Sequence, residues 1–187
     1  MKAQQNIHAI LFDFVGVLMR MKEVSPDPVA DEINRMIGSV TDDQAFKKEA
    51  QGKFKLTDVQ FDDYLEKVIN RFERFEPLWK KILSLKNKYK LAIINNGTAL
   101  TLSRVFTRFP ELTTQFDEFI SSAKEGVKKP NQEIYIRACQ KLNVKPKECL
   151  FMDDNKLNTD AASVLGMQTI WWETYEEGFE KFRKLII

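Results

Sequence analysis

The chain has 187 residues, 43% of them hydrophobic and 30% charged, enough for a globular core in one domain or one domain with a modest insertion. Twenty-nine Lys and Arg against 27 Asp and Glu leave a net charge of +2, a balance that points away from nucleic-acid and membrane-surface partners. The apolar stretch near the N-terminus is short and interrupted by Asp13, so neither a signal peptide nor a membrane span is expected, and a cytoplasmic protein is.

The first expected element is a strand over 8–14, "HAILFDF", near-continuous in apolar character as for a strand buried on both faces. His8, the one histidine, has no Cys or His neighbours in sequence and reads as structural. Residues 20–74 then carry helical patterns, "PVADEINRMIG" and "TDVQFDDYLEKVINRF", with no convincing buried strand, and read as a small helical insertion. "EPLWKKILSLKNKY" places Leu78, Ile82 and Leu85 at helical spacing beneath a basic, solvated face. A strand follows over 90–96, "KLAIINN", and "FDEFIS" at 116–121 offers a further short one. "NQEIYIRACQKLN" is helical, with Ile134, Ala138 and Leu142 inward. "CLFMDD" at 149–154 is another buried strand, and "GMQTIWW" at 166–172 a last one, rich in β-branched and aromatic residues. Between them "NTDAASVLG" is a helix capped by Asn158 or Thr159 and stopped by Gly166. Cys139 and Cys149 read as packed thiols, since their spacing supports neither a redox nor a metal pair.

Strand and helix alternating in this way predict an α/β fold, a Rossmann-like parallel sheet with helices on both faces and a small helical cap inserted after the first strand. Ligands of such sheets bind beyond the carboxyl ends of the strands. Asp13 ends the first strand, Asn95 and Asn96 the second, Asp153 and Asp154 the third, so all five project toward one edge. Each alone has a plainer reading: an aspartate at a strand end caps or turns, and "NNG" is an ordinary turn. The adjacent Asp153 and Asp154 repel, however, and are easier to hold with a cation between them and Asp13. Hard oxygen ligands favour Mg²⁺ over zinc.

At these residues a family resemblance enters. "LFDFVGVL", "AIINNGT", "GVKKPNQEIY" and "LFMDDN" resemble, in order and spacing, the four motifs of the haloacid dehalogenase superfamily, over nearly the whole chain. The subgroup it is most similar to has a small helical cap, like the phosphatase domain of soluble epoxide hydrolase and bacterial sugar-1-phosphate phosphatases. The resemblance implies a core domain of residues 1–19 and 75–187 and a helical cap of residues 20–74. It implies Asp13 as the nucleophile that forms an aspartyl-phosphate, with Asn95 and Asn96 on the phosphoryl oxygens. Lys129 would neutralise charge on Asp13 and the phosphoryl group. Mg²⁺ would be held by Asp13, Asp154 and the backbone carbonyl of Val15, with Asp153 supporting the metal shell and Lys129.

Two positions depart from the family pattern. Asn95 stands where a Ser or Thr is usual, a mild change because an amide still donates a hydrogen bond. Val15 stands where a second aspartate usually acts as general acid and base, and loss of such a group costs about 10²- to 10⁴-fold. The reading that follows is a Mg²⁺-dependent phosphatase on a small phosphorylated metabolite, weakened at Val15. The alternatives are a 2-haloacid dehalogenase, which needs no metal or adjacent acidic pair, and a catalytically impaired binding protein on the same fold. The substrate and the oligomeric state are not legible in the sequence.

Overall fold

The structure is a computed structural model and describes residues 6–186. The first five residues of the expected core domain, and Ile187, lie outside the described residues. Seven strands occur among the described residues: β1 (Ala9–Phe12), β2 (Met19–Met21), β3 (Phe72–Arg74), β4 (Lys90–Asn95), β5 (Glu118–Ser121), β6 (Cys149–Asp153) and β7 (Gln168–Trp171). Five of them form one parallel sheet in the order β5-β4-β1-β6-β7. The ten α-helices are α1 (Pro28–Ile37), α2 (Asp43–Phe54), α3 (Asp58–Asn70), α4 (Glu76–Leu83), α5 (Leu102–Arg108), α6 (Glu111–Gln115), α7 (Ser122–Glu125), α8 (Gln132–Leu142), α9 (Lys156–Val164) and α10 (Tyr175–Leu185).

The apolar runs become central strands because both of their faces are covered. Ile10 and Phe12 of β1 point into a core shared with α4, α5 and α10, while Ala9 and Leu11 point into a second core under α8 and α9. Leu91 with Ile93 and Ala92 with Ile94 divide in the same way along β4. This is the α/β doubly covered parallel sheet that the alternation predicts.

Several elements differ from expectation. The segment 20–74 is helical in α1, α2 and α3, but it is entered and left through an antiparallel ribbon in which Met19 faces Arg74 and Met21 faces Phe72. Those strands have three residues each, and Glu73 and Arg74 are exposed, so no period-two signal exists to be read. Helix α9 starts three or four residues earlier than expected: Asn155 caps it by accepting from the Leu157 amide at 3.0 Å, while Asn158 and Thr159 lie inside the helix and are buried. The helix from Glu76 stops at Leu83 and continues only as turns. Helix α2 falls within the expected helical insertion without a pattern of its own, and α5, α6, α7 and α10 have no counterpart among the expected elements.

The ribbon is pinned at its base. The Trp79 indole donates to the Leu18 carbonyl at 3.0 Å, and the Tyr175 hydroxyl donates to the Met19 carbonyl at 3.0 Å. The Arg20 guanidinium lies over both the Phe75 and Tyr175 rings, 4.4 and 4.2 Å from their centroids. From this neck α1 to α3 lean back over the carboxyl ends of the strands. There Ser122 Oγ donates to the Val40 carbonyl at 2.5 Å, and Asp43 accepts from the Thr98 hydroxyl and, at 3.0 Å, from the Ala99 amide.

Helix α10 holds β1 from below through Phe182, which is fully buried and meets the Phe12 ring edge-on at 6.2 Å. Phe182→Ala is expected to lower unfolding stability by about 3–5 kcal/mol, measured by urea denaturation. A loss below about 1 kcal/mol would mean that the helix contributes little to the sheet.

Candidate active site

The parallel register brings the strand ends together. Phe12 pairs with Ile93 on one side and Met152 on the other, so Asp13 emerges level with Asp153. The Asp13 amide donates to the Met152 carbonyl at 2.8 Å, which carries the ladder one residue past the strand and fixes the direction of the aspartate. The chain then turns sharply: the Met19 amide donates to the Phe14 carbonyl at 2.8 Å and the Gly16 amide to the Met19 carbonyl at 2.9 Å. Gly16 has φ +109°, and a Cβ there would lie 2.4 Å from a carboxylate oxygen of Asp154. Only glycine lets this turn close against Asp154.

Lys129 reaches in from the loop before α8. Its Nζ donates to Asp13 Oδ1 at 2.5 Å and to Asp153 Oδ2 at 2.7 Å, and all three side chains are buried. The other oxygen of Asp153 accepts from the Asn155 amide at 2.8 Å and from Asn158 Nδ2 at 2.9 Å. Asp153 is therefore fully engaged as an anchor. Lys129 is held at its backbone by Asn96, whose side-chain oxygen accepts from the Lys129 amide at 2.8 Å and whose amide group donates to the Lys129 carbonyl at 3.0 Å. Asn95 turns its side chain toward the cavity, where a Cβ on Gly97 would come within 2.4 Å of its amide nitrogen.

All seven residues singled out in the sequence, Asp13, Val15, Asn95, Asn96, Lys129, Asp153 and Asp154, line one cavity of about 250 Å³. The structure gives the Asn96 side chain a backbone-positioning task, with both of its polar ends occupied. Two further groups escaped the sequence reading. Asn158 orients Asp153, but five residues on from Asp153 it looked like a helix cap. The cavity's upper wall comes from Asn34, Ile37, Val68 and Ile69 of α1 and α3, whose approach to Asp13 leaves no local signal.

The charges do not balance within the protein. Oxygens of Asp13, Asp153 and Asp154 lie within 4.8 Å of one another, against the single ammonium of Lys129, which contacts only the first two. Burial pushes the Asp13 carboxyl up to about 7, with Lys129 opposing and Asp153 and Asp154 adding to the rise. Burial raises Asp154 as well, followed by repulsion from Asp153. Burial works against the Lys129 ammonium, but its two carboxylate partners outweigh this and hold its pKa above the ordinary lysine value. Three clustered carboxylates with one lysine form a donor set of hard oxygens that fits a divalent cation such as Mg²⁺.

A family profile described as haloacid dehalogenase-like hydrolase matches residues 7–166. The chain belongs to that family. It is 35% identical over 97 residues to a glyceraldehyde 3-phosphate phosphatase of Pyrococcus furiosus, half of this chain and 40% of that relative. It is 32% identical over 82 residues to (S)-2-haloacid dehalogenase 1 of a Pseudomonas species, 44% of this chain and 36% of that protein. The chain thus aligns with well under half the length of these relatives. Its fold is similar to that of a HAD family enzyme of Bacteroides thetaiotaomicron solved with magnesium and inorganic phosphate. That likeness has a TM-score of 0.70 at 19% identity and covers 88% of this chain and 93% of the other. No helix among the described residues is long and apolar enough to cross a membrane.

The raised Asp13 carboxyl has a consequence for stability. Between its ordinary 3.8 in the unfolded chain and about 7 in the folded one, the folded protein binds the extra proton. Stability from this group is therefore full below about pH 4 and is lost as pH rises through 7. In divalent-free buffer, Asp13→Asn is expected to flatten the fall in melting temperature between about pH 5.5 and 8. An undiminished fall in that variant would assign it to other groups.

Proposed function

We propose that this member of the hydrolase family is a Mg²⁺-dependent phosphatase acting on a small phosphorylated metabolite through an aspartyl-phosphate on Asp13. The observation that carries the reading is the Asp13 carboxylate held 2.5 Å from a buried Lys129, with Asp154 beside it, on the floor of the cavity. Asp13 Oδ attacks phosphorus, the bond from phosphorus to the leaving oxygen breaks and that group departs as its anion or takes a proton from water, and water later attacks the phosphorus of the acyl phosphate to return the carboxylate and inorganic phosphate. Lys129 spends two of its three protons on Asp13 and Asp153, leaving one for a phosphoryl oxygen. The Asn95 amide supplies a further donor, and Asn96 keeps Lys129 in place. Mg²⁺ held by Asp13, Asp154 and the Val15 carbonyl, with Asp153 in support, would keep Asp13 anionic and neutralise charge on the phosphoryl group.

Dehalogenation of a 2-haloacid uses the same nucleophile on carbon, and one relative bears that name. Such a substrate carries a carboxylate, whereas Lys129 is the one cationic side chain among the described residues lining the cavity. The acidic cluster also serves no purpose on an anionic substrate without a metal. Both facts favour phosphoryl transfer. Val15, in the cavity wall, is the feature that favours an impaired binding protein, since it leaves the departing oxygen without an acid. Phosphate release from an aryl phosphate with Mg²⁺ decides between enzyme and binding protein.

The segment 20–74 is assigned as a cap over the core of residues 1–19 and 75–187, moving about the β2–β3 neck to admit substrate. Its support is the wall that α1 and α3 contribute to the cavity. The Asp43 contacts to Thr98 and Ala99 form its latch.

Two outcomes test the site. Asp154→Asn should weaken Mg²⁺ binding at least tenfold by calorimetry with little change in melting temperature, and equal affinity would remove Asp154 from the metal site. Val15→Asp should raise hydrolysis of simple alkyl phosphates by part of the roughly 10²- to 10⁴-fold that a general acid supplies, and that of aryl phosphates much less. Measured at saturating Mg²⁺, an unchanged alkyl-to-aryl ratio would clear Val15 of limiting the chemistry.

A further inference from the structure

The cavity has a charged floor and an uncharged upper half. Above Asp13 and Lys129 the wall is made by Ile37, Val68 and Ile69 from the cap side and Leu102, Val105 and Phe119 from the core side. Val68, Ile69 and Val105 are buried, while Ile37 and Phe119 are partly open. The cap adds one polar side chain, Asn34 of α1, which is neutral and partly buried. Among the described lining residues there is no arginine or histidine and no lysine besides Lys129, which two carboxylates already engage. A volume of about 250 Å³ lies below the usual range for drug-sized ligands, roughly 300–1,000 Å³.

From this division we infer that the site takes the phosphate of a small, uncharged and mainly apolar group, whose tail packs on the Ile37–Val68–Phe119 wall. The inference rests on the phosphatase reading in making that tail the leaving group. A carboxylate or second phosphate on the tail would lose its water against aliphatic carbon with no cation to meet it. A ring of sugar hydroxyls would fare little better, because the wall offers only the Asn34 amide and the Thr101 hydroxyl, whose proton is already given to the Thr98 carbonyl. Each methylene placed on the wall strengthens binding by about fourfold. Lacking an acid at Val15, the site also favours leaving groups that depart unaided. The two constraints together select apolar acyl or aryl phosphates over sugar-1-phosphates.

The test uses phosphonates, which bind but are not cleaved. 3-Methylbutylphosphonate and 3-phosphonopropionate have the same shape, one ending in two methyls and the other in a carboxylate. With the full chain and saturating Mg²⁺, calorimetry is expected to show the first binding at least tenfold more tightly. Ile37→Lys, at the partly exposed end of α1, should reduce or reverse that preference. Asn34→Lys is the second variant should the first fail to fold. Equal or tighter binding of the carboxylate by the wild type overturns the inference, as does failure of 3-methylbutylphosphonate to bind at millimolar concentration. A parallel turnover panel of isobutyryl phosphate, phenyl phosphate and glucose 1-phosphate separates the two readings. Tight, tail-selective binding with no phosphate released from any of them sinks the phosphatase and leaves the assignment of the wall intact. Turnover with no discrimination among the tails does the reverse.

Discussion

The contact on which the site depends is the ammonium of Lys129 between Asp13 and Asp153. Three charges are taken out of water within hydrogen-bond distance, an arrangement that is stable only when each member keeps its partners. Everything around it serves that requirement. Asn96 clips the lysine backbone from both sides, Asn158 and the Asn155 amide saturate the far oxygen of Asp153, and the Met152 carbonyl holds the Asp13 amide. Asp154 stands outside this balance. Its excess negative charge is tolerated at the cavity mouth, where its side chain is exposed and the tight turn at Gly16 lets it approach.

An unbalanced cluster of this kind is an expense that folding alone would not select. Removing the charges would relieve repulsion and desolvation, as the raised carboxyls of Asp13 and Asp154 indicate. Perturbed carboxylates converging in a cavity are the physical mark of a site kept for chemistry. Val15 runs the other way: it keeps the turn and its carbonyl while giving up a proton donor. On the proposed reading, such a site binds and activates a phosphoryl group but depends on the substrate for an easy departure. The apolar wall from the cap suits the same economy, because an uncharged tail asks nothing of the protein but contact area.

The legible part of the fold was the sheet. Near-continuous apolar runs at β1, β4 and β6, each closed by Asp or Asn, are local signals, and they also imply where the five polar strand ends meet. The three-residue ribbon strands were not legible because each half pairs with a partner far along the chain and is pinned by side chains farther still. Helix α9 was misplaced by its cap, since Asn155, Asn158 and Thr159 are all competent capping residues. Only Asp153, by holding Asn158 inside, settles which one serves.

In the site, the sequence by itself determined which residue types meet: which strand ends carry carboxylates, that a lysine precedes α8, and that Val15 offers no proton donor. These depend on residue type and on position relative to a strand, both of which are local. Tertiary structure decided the rest. It paired Lys129 with Asp13 and Asp153 but not Asp154, and turned Asn96 from the cavity to the lysine backbone. It also brought Ile37, Val68 and Ile69 into one cavity with Asp13. Such choices arise from packing between segments far apart in the chain, where burial and charge pairing select one arrangement and no local pattern of residues records it.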